Sequence, residues 1–244
     1  MTDLSRPLAE ADVAAVGTEL EGKRPDEILR WAVGAIPRLT FATGFGAEGC
    51  VVIDVIARHG LAIDLFTLDT GVLFTETHAL WRELEARYAV SIRAVVPDQS
   101  IAEQALRYGA ALWERDPNRC CELRKIQPLR TELARFDGWI TAIRRDQTPD
   151  RADARVVERD RKFGLIKVNP LAGWSHDDVW AYIYANDVPT NSLHEQGYAS
   201  IGCQPCTSPV AIGENPRAGR WRGMAKKECG LHVVRPDEEK PDAA

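Results

Sequence analysis

The chain has 244 residues and a formal net charge of −5, from 31 basic and 36 acidic residues. The length suits one large α/β domain or at most two small ones, and 45% hydrophobic against 27% charged residues is enough apolar material for a core. The acidic balance argues against general nucleic-acid binding, no apolar run is long enough to span a bilayer, and the N-terminus lacks a secretory signal pattern. We therefore expect a cytoplasmic protein with neither nucleic-acid nor membrane partners, in which six cysteines serve metal or redox chemistry.

The first half of the chain alternates predicted helices with predicted strands. Residues 1–24 are a polar lead-in with one short helix, and Pro25 begins a helix that runs through Trp31. Further predicted elements, in chain order, are strand Leu39–Thr43, helix Cys50–Ala57, strand Ile63–Leu68, helix Thr75–Tyr88, strand Val90–Val96 and strand Trp139–Ile143. This alternation predicts βαβ units and a mostly parallel sheet, in which ligands bind at the carboxyl ends of the strands.

The second half of the chain has a different character. Residues 144–162 are densely charged and predict a loop, whereas Ser175 followed by acidic residues predicts the start of a helix. Residues 203–232 are rich in Gly, Pro, Cys and Arg, which indicates an irregular functional segment. Residues 235–244 are charged, contain two prolines and predict disorder.

Two loops at the ends of predicted strands contain glycine. Gly44, Phe45 and Gly46 lie between a strand and a helix, where backbone N–H groups and the helix N-terminus favour a phosphate. A strand-to-helix turn also needs glycine for steric reasons, which is the alternative explanation for these residues. The Gly-Lys-Ser/Thr ending of a Walker A loop is absent. Asp69-Thr70-Gly71 ends the next strand at the same edge, with a simple turn as the alternative.

Four cysteines form two close pairs. Cys120 and Cys121 are adjacent, and Cys203 and Cys206 form a C-x-x-C motif 82 positions after Cys121. Four thiolates suffice for zinc or an iron–sulfur cluster, although adjacent cysteines are unusual in zinc ribbons. Basic residues accompany both pairs and predict a site for a multiply charged anion: Arg119, Arg124, Lys125, Arg144, Arg145, Arg151, Arg217, Arg220 and Arg222.

A fifth cysteine lies in a basic C-terminal segment. Cys229 follows two lysines and precedes His232, and nearby positive charge lowers a thiol pKa and favours the nucleophilic thiolate. An incidental surface cysteine is the alternative for this segment taken alone. Cys50 begins an apolar helical stretch, which predicts a packing role.

From about Phe41 to His232 the chain resembles the assimilatory sulfonucleotide reductases. The most specific motifs are Cys-Cys-x-x-Arg-Lys at 120–125, Cys-x-x-Cys at 203–206, Arg-x-Gly-Arg-Trp at 217–221 and Glu-Cys-Gly-Leu-His at 228–232. Leu-Asp-Thr-Gly at 68–71 and the segment at 139–147 also match. The resemblance implies a Rossmann-like, adenine-nucleotide alpha-hydrolase fold of the PP-loop type, with a mostly parallel sheet flanked by helices.

The resemblance also implies a cofactor and a substrate. Members with both cysteine pairs resemble the branch that binds a [4Fe–4S] cluster and reduces adenylyl sulfate (APS). Members without the pairs are cluster-free and reduce the 3′-phosphorylated nucleotide (PAPS). The four cysteines of this chain favour the cluster branch and APS, with a dual APS/PAPS reductase as the alternative.

The implied reaction has two steps. The Cys229 thiolate attacks the sulfate sulfur, AMP leaves, and thioredoxin then releases sulfite from the S-sulfocysteine. Lys125 lies near both cluster and sulfate, and His232 tunes or positions the nucleophile. The implied cluster ligands are Cys120, Cys121, Cys203 and Cys206. The implied substrate contacts are Gly44, Phe45, Gly46, Leu68, Asp69, Thr70, Gly71, Arg144, Arg151, Arg217 and Arg220.

The resemblance divides the chain into a lead-in at 1–24, one nucleotide- and cluster-binding α/β domain at 25–222 and a mobile segment at 223–244 that carries the nucleophile. It further implies a homo-oligomer. The chain departs from the family at Gly49, where an acid is usual, and after Trp221, where a tryptophan-rich run is usual. Two rivals remain: an ATP-dependent PP-loop enzyme, whose loop would read Ser-Gly-Gly-x-Asp-Ser, and a non-catalytic iron–sulfur or zinc protein.

Overall fold

The computed structural model describes residues 9–226 and 228–231. The helices and strands, in chain order, are α1 Glu10–Glu19, α2 Pro25–Ala35, β1 Leu39–Thr43, α3 Ala47–Arg58, β2 Asp64–Leu68, α4 Thr75–Tyr88, β3 Ile92–Val95, α5 Ile101–Tyr108, α6 Leu112–Arg115, α7 Pro117–Cys121, α8 Gln127–Leu133, β4 Gly138–Ile140, β5 Val157–Arg159, β6 Ile166–Val168 and α9 His176–Asn186. A π-helical turn, Glu122–Ile126, joins α7 to α8. No helix among the described residues is both long and apolar enough to cross a membrane.

The strands form one mostly parallel sheet in the order β3-β2-β1-β4-β6-β5. Strand β1 pairs in parallel with β2 and β4, so Phe41 lies opposite both Leu65 and Ile140. Strand β4 pairs in parallel with β6, and β5 is an antiparallel edge strand. The predicted fold class is therefore confirmed, and the apolar strand sequences reflect a sheet that is covered on its faces.

Some element bounds differ from the sequence expectation. Helix α3 begins at Ala47 rather than Cys50, because the acid and glycine that precede Cys50 occupy its first turn, where an apolar pattern is not required. Strand β4 ends at Ile140, three residues earlier than expected. The charged segment predicted as a loop contains β5, in which Val157 is buried while the next two residues are partly exposed. A short edge strand needs few apolar residues, so the apolar pattern missed it.

The chain divides into two compact units. The first comprises residues 1–67, 80–93 and 133–190, and the second comprises residues 68–79, 94–132 and 191–244. The main hydrophobic core lies in the first unit and includes the fully buried residues Leu29, Phe41, Ile53, Leu84 and Val168. The boundaries predicted from the resemblance, at residues 24 and 222, stay a prediction.

A buried carboxylate in the first unit holds α3 in its position. Asp54 is fully buried and accepts hydrogen bonds from the hydroxyl groups of Tyr88 and Tyr182, each at 2.7 Å. It also accepts from Arg58 Nε at 2.7 Å. These contacts join α3 to α4 and α9, which fixes the helix whose N-terminus follows the first glycine loop.

Candidate functional site

The first glycine loop lies between β1 and α3 in the first unit. Phe45 adopts a left-handed backbone conformation, with φ of 57°, and its buried ring stacks on Trp81 at a centroid distance of 5.6 Å. Its N–H donates to Thr43 Oγ1 at 3.1 Å. A Cβ added to Gly44 would meet no atom within 4 Å. Packing within the chain therefore does not require glycine at 44, and its absent side chain leaves the backbone open to an external group.

A polar network lies in the same unit, around Glu48 in the first turn of α3. Glu48 Oε1 accepts from Arg144 Nε at 3.0 Å and from Gln147 Nε2 at 2.9 Å. Arg144 also pairs with Asp146, and Arg151 Nη1 donates to Gln147 Oε1 at 2.5 Å. The structure thus brings the two predicted anion contacts, Arg144 and Arg151, into one network. The guanidinium of Arg144 therefore forms ion pairs with two carboxylates of the chain, those of Glu48 and Asp146.

The second glycine loop, residues 68–71, belongs to the second unit. Gly71 has φ of 72°, and its N–H donates to Asp69 Oδ1 at 3.0 Å, so this loop requires glycine for its turn. Thr70 is fully buried, with Oγ1 at 3.3 Å from Cys203 Sγ. Its carbonyl accepts from Arg124 Nε, and the buried Arg124 also donates to the Gln104 side chain at 3.1 Å. Thr70 therefore contacts the C-x-x-C motif.

The two cysteine pairs lie close together in the second unit. Cys120 and Cys121 end α7, and Cys203 precedes a 3₁₀ turn that ends at Cys206. All four have free thiols and line one cavity, together with Val72, Trp113, Pro117, Arg124, Lys125 and Pro205. A backbone bridge between Leu73 and Cys203 holds the second pair. Folding therefore closes the gap of 82 positions that separates Cys121 from Cys203.

The neighbouring thiol groups in this cavity oppose the ionisation of Cys120 and Cys206. Burial and the neighbouring thiol groups of Cys121, Cys203 and Cys206 raise the pKa of Cys120 to about 12. Burial and the nearby Cys203 and Cys121 likewise raise the pKa of Cys206 to about 11. Four thiolates around one cavity, three of them buried, need a compensating positive group, which bound metal supplies. Among the described residues, however, no three or more His, Cys, Asp or Glu side chains converge as ligands of a single metal ion.

Lys125 and Cys229 influence each other electrostatically in the second unit. Burial opposes the charge of Lys125, but the thiol groups of Cys203, Cys229 and Cys121 raise its pKa above the ordinary lysine value. Burial raises the pKa of the Cys229 thiol, but the Lys125 ammonium, the backbone of Leu231 and the Arg220 guanidinium outweigh it. The resulting pKa lies below the ordinary cysteine value, so Cys229 combines partial exposure with thiolate character.

The arginines of the 217–221 motif lie near the nucleophile in sequence and structure. Arg217 Nη2 pairs with Glu228 Oε2 at 3.1 Å, directly before Cys229. Arg220 is buried and its guanidinium lies over the Trp221 ring, 4.6 Å from the centroid. Within the described part of the chain, Arg220 Nε and the buried Trp221 Nε1 have no hydrogen-bond acceptor. His232 lies outside the described residues, so its predicted role stays a prediction.

Sequence reasoning missed two contributors in this unit. Lys226 is buried and donates to Asn118 Oδ1 at 2.6 Å, and its ammonium lies 5.2 Å from the Trp221 ring centroid. The sequence alone predicts Lys226 only as one of two nearby positive charges that lower the pKa of the Cys229 thiol. No local signal marks Asn118, because its contact spans 108 positions.

Comparison with known proteins decides the family. Residues 38–209 match the family model described as the phosphoadenosine phosphosulfate reductase domain. The chain belongs to the phosphoadenosine phosphosulfate reductase family. The recognition made from the sequence motifs is therefore confirmed.

Similar members of this phosphosulfate reductase family carry two different names. Adenosine 5′-phosphosulfate reductase 1 of Bacillus subtilis is 45% identical over 84% of this chain and 89% of its own length. Phosphoadenosine 5′-phosphosulfate reductase of Gloeobacter violaceus is 44% identical over 87% of this chain and 90% of its own length. The solved phosphoadenylyl-sulfate reductase of Candida auris, in a phosphate complex, has a TM-score of 0.75 and 32% identity and covers 84% of this chain and 100% of its own.

The electrostatic relation between Lys125 and Cys229 leads to a prediction on pH dependence. Below the pKa of Cys229 the thiol is neutral and unreactive, so alkylation by iodoacetamide accelerates as the pH rises through that pKa. In the Lys125→Met variant we expect the midpoint of this profile to move to higher pH, because the Lys125 ammonium most strongly favours the thiolate. Mass spectrometry of the Cys229 peptide measures the rate.

The Lys125→Arg variant is the control for charge in this experiment. It retains a positive group, so its midpoint should stay nearer to that of the unmodified chain. Thermal unfolding measured in parallel identifies any variant whose folding has changed. An unchanged midpoint in Lys125→Met, with unchanged thermal unfolding, would contradict the electrostatic role of Lys125.

Proposed function

We propose that this chain reduces adenylyl sulfate to sulfite and AMP, with thioredoxin as the reductant. The observation that carries the proposal is the cavity lined by the two cysteine pairs and Lys125, together with a Cys229 thiol whose pKa the same lysine lowers. The name of the Bacillus subtilis relative supports APS, and that of the Gloeobacter violaceus relative supports PAPS as the second candidate substrate. A cytoplasmic location and a homo-oligomer stay predictions.

The four cysteines fit a [4Fe–4S] cluster. Their donors are all thiols, none is joined in a disulfide, and all line one cavity. Cys120, Cys121, Cys203 and Cys206 would hold the cluster through their thiolates. The ligands of a group with several metal ions need not converge on one point, whereas the ligands of a single ion must. Arg220 Nε and Trp221 Nε1, which have no acceptor among the residues that the structure describes, also suit a negatively charged neighbour. When bound, the cluster would supply local charge and a fixed cavity shape rather than electrons for the substrate.

In the first step the Cys229 thiolate donates an electron pair to the sulfate sulfur of APS. An S–S bond forms, the bond from sulfur to the bridging oxygen breaks, and its electrons leave with the AMP phosphate. The product on the protein is S-sulfocysteine. Positive side chains lower the barrier, because the leaving phosphate gains charge as the bond breaks. Lys125, Arg217 and Arg220 would supply this charge.

In the second step a thioredoxin thiolate attacks Cys229 Sγ. Sulfite leaves with the electrons of the S–S bond, and a mixed disulfide joins the two proteins. The second thioredoxin thiol then attacks this disulfide, which returns the Cys229 thiol and leaves oxidised thioredoxin. The dithiol thus supplies the two electrons of the overall reduction. Arg217 pairs with Glu228, so this ion pair lies next to the atom that the partner must reach.

The experiment that tests this function is anaerobic sulfite release with thioredoxin, with APS and PAPS supplied side by side. We expect a strong preference for APS in protein that retains its iron. Comparable rates with both nucleotides would instead establish a dual-specificity reductase. If protein with intact iron released no sulfite from either nucleotide, the reductase proposal would fail, and ATP-dependent PP-loop chemistry would be tested next with ATP and Mg²⁺.

A further inference from the structure

Lys226 is a buried lysine whose contacts differ from those of a surface lysine. It is 9% exposed, although lysine is rarely buried without a partner. Its ammonium donates to Asn118 Oδ1 at 2.6 Å and lies 5.2 Å from the centroid of the Trp221 ring. The Trp221 ring is itself 2% exposed. A neutral amide and an aromatic ring are therefore among the groups that contact this buried charge.

These contacts connect the segment of the nucleophile to both cysteine pairs. Lys226 lies three positions before Cys229, and Asn118 lies two positions before Cys120 in α7. The backbone N–H of Trp221 donates to the Cys206 carbonyl at 3.0 Å. The same segment has a second attachment point, the ion pair between Glu228 and Arg217. All of these residues belong to the second unit.

We propose that Lys226 is a positioning residue, which holds Cys229 in place for the attack on the substrate. This inference rests on the proposed function, in which the sulfur atom of Cys229 takes part in two successive reactions. It first attacks a small anion, which requires a fixed position beside Lys125, Arg217 and Arg220, and it is then attacked by a protein thiolate.

The test compares holoenzyme variants under anaerobic conditions. Lys226→Met keeps the chain length and removes the charge, Lys226→Arg keeps the charge, and Asn118→Ala removes the acceptor. Lys23→Met, at an exposed lysine, is the matched control. Three quantities are measured: the alkylation rate of Cys229, the single-turnover rate of S-sulfocysteine formation from APS, and the rate at which thioredoxin releases sulfite from preformed S-sulfocysteine.

We expect Lys226→Met to raise the alkylation rate of Cys229 about tenfold and to slow S-sulfocysteine formation about tenfold, as loss of a charged hydrogen bond predicts. Loss of positive charge by itself disfavours the thiolate and would slow alkylation, so a faster reaction specifically reports release of the segment. Sulfite release from the preformed adduct should be at least as fast as in the unmodified enzyme. Asn118→Ala should act in the same direction, and Lys226→Arg should restore adduct formation to within about threefold.

Two results would overturn the proposal. One is unchanged alkylation and adduct formation in Lys226→Met, and the other is equal slowing of both reaction steps together with loss of iron, which indicates a general structural role. If Lys226→Met does not fold, the comparison of Asn118→Ala with Lys23→Met decides by the same criteria. If the unmodified enzyme forms no adduct, the proposed function fails, whereas the alkylation rates still test the positioning role.

Discussion

The Cys229→Ser variant should release sulfite at least about 10⁴-fold more slowly than the unmodified chain, since it loses the nucleophile that forms the covalent intermediate. A serine hydroxyl is a far weaker nucleophile than the thiolate, and Lys125 and Arg220 cannot ionise it at neutral pH. No S-sulfo adduct should appear at position 229 by mass spectrometry after incubation with APS. Iron content should be unchanged, because Cys229 is not one of the four cysteines that line the cavity.

Cys50→Ala is the matched control for this variant. Cys50 is fully buried in α3, and burial raises its thiol pKa far above the ordinary value, so it cannot act as a nucleophile. Its replacement should leave the rate of sulfite release within a few-fold of the unmodified chain, with a modest loss of stability from the small cavity created. Full activity in Cys229→Ser would overturn the assignment of the nucleophile.

Replacement of one cysteine from either pair should abolish cluster binding. We expect about four iron atoms per chain in the anaerobically purified protein and fewer than about one in Cys121→Ser or Cys203→Ser. The physical reason is that three thiolates leave one iron without a protein ligand, and the buried serine hydroxyl does not ionise to replace it. Iron and acid-labile sulfide assays, together with the visible absorption spectrum, measure the loss.

The pair of replacements also tests the geometry of the cavity. Cys121 and Cys203 lie 82 positions apart in the sequence. Equal loss of iron in both variants would therefore mean that folding brings both cysteine pairs to one shared cluster. Cys50→Ser is the control and should retain its iron, since Cys50 belongs to the other compact unit. Iron that persists in Cys203→Ser but not in Cys121→Ser would contradict a shared four-cysteine site.

Much of the fold follows from local patterns in the sequence. Apolar strand segments and the helices between them predict the parallel sheet, because side-chain periodicity reports local conformation and burial. The helix start at Ser175 was likewise predictable, since its hydroxyl accepts from the Asp178 N–H in a capping box. Edge strand β5 was not predictable, because its sequence carries no apolar pattern. It forms a strand only through its antiparallel pairing with β6.

The sequence by itself determined the family, the two cysteine pairs and the lone Cys229, because each depends on residue identity at short spacing. Only the tertiary structure decided which groups meet. It brought Lys226 into contact with Asn118, 108 positions away. It also placed Thr70 beside the Cys203 thiol and Arg144 beside the Glu48 carboxylate. The physical reason is that long-range contacts depend on how whole helices and strands pack, and no local spacing encodes that packing.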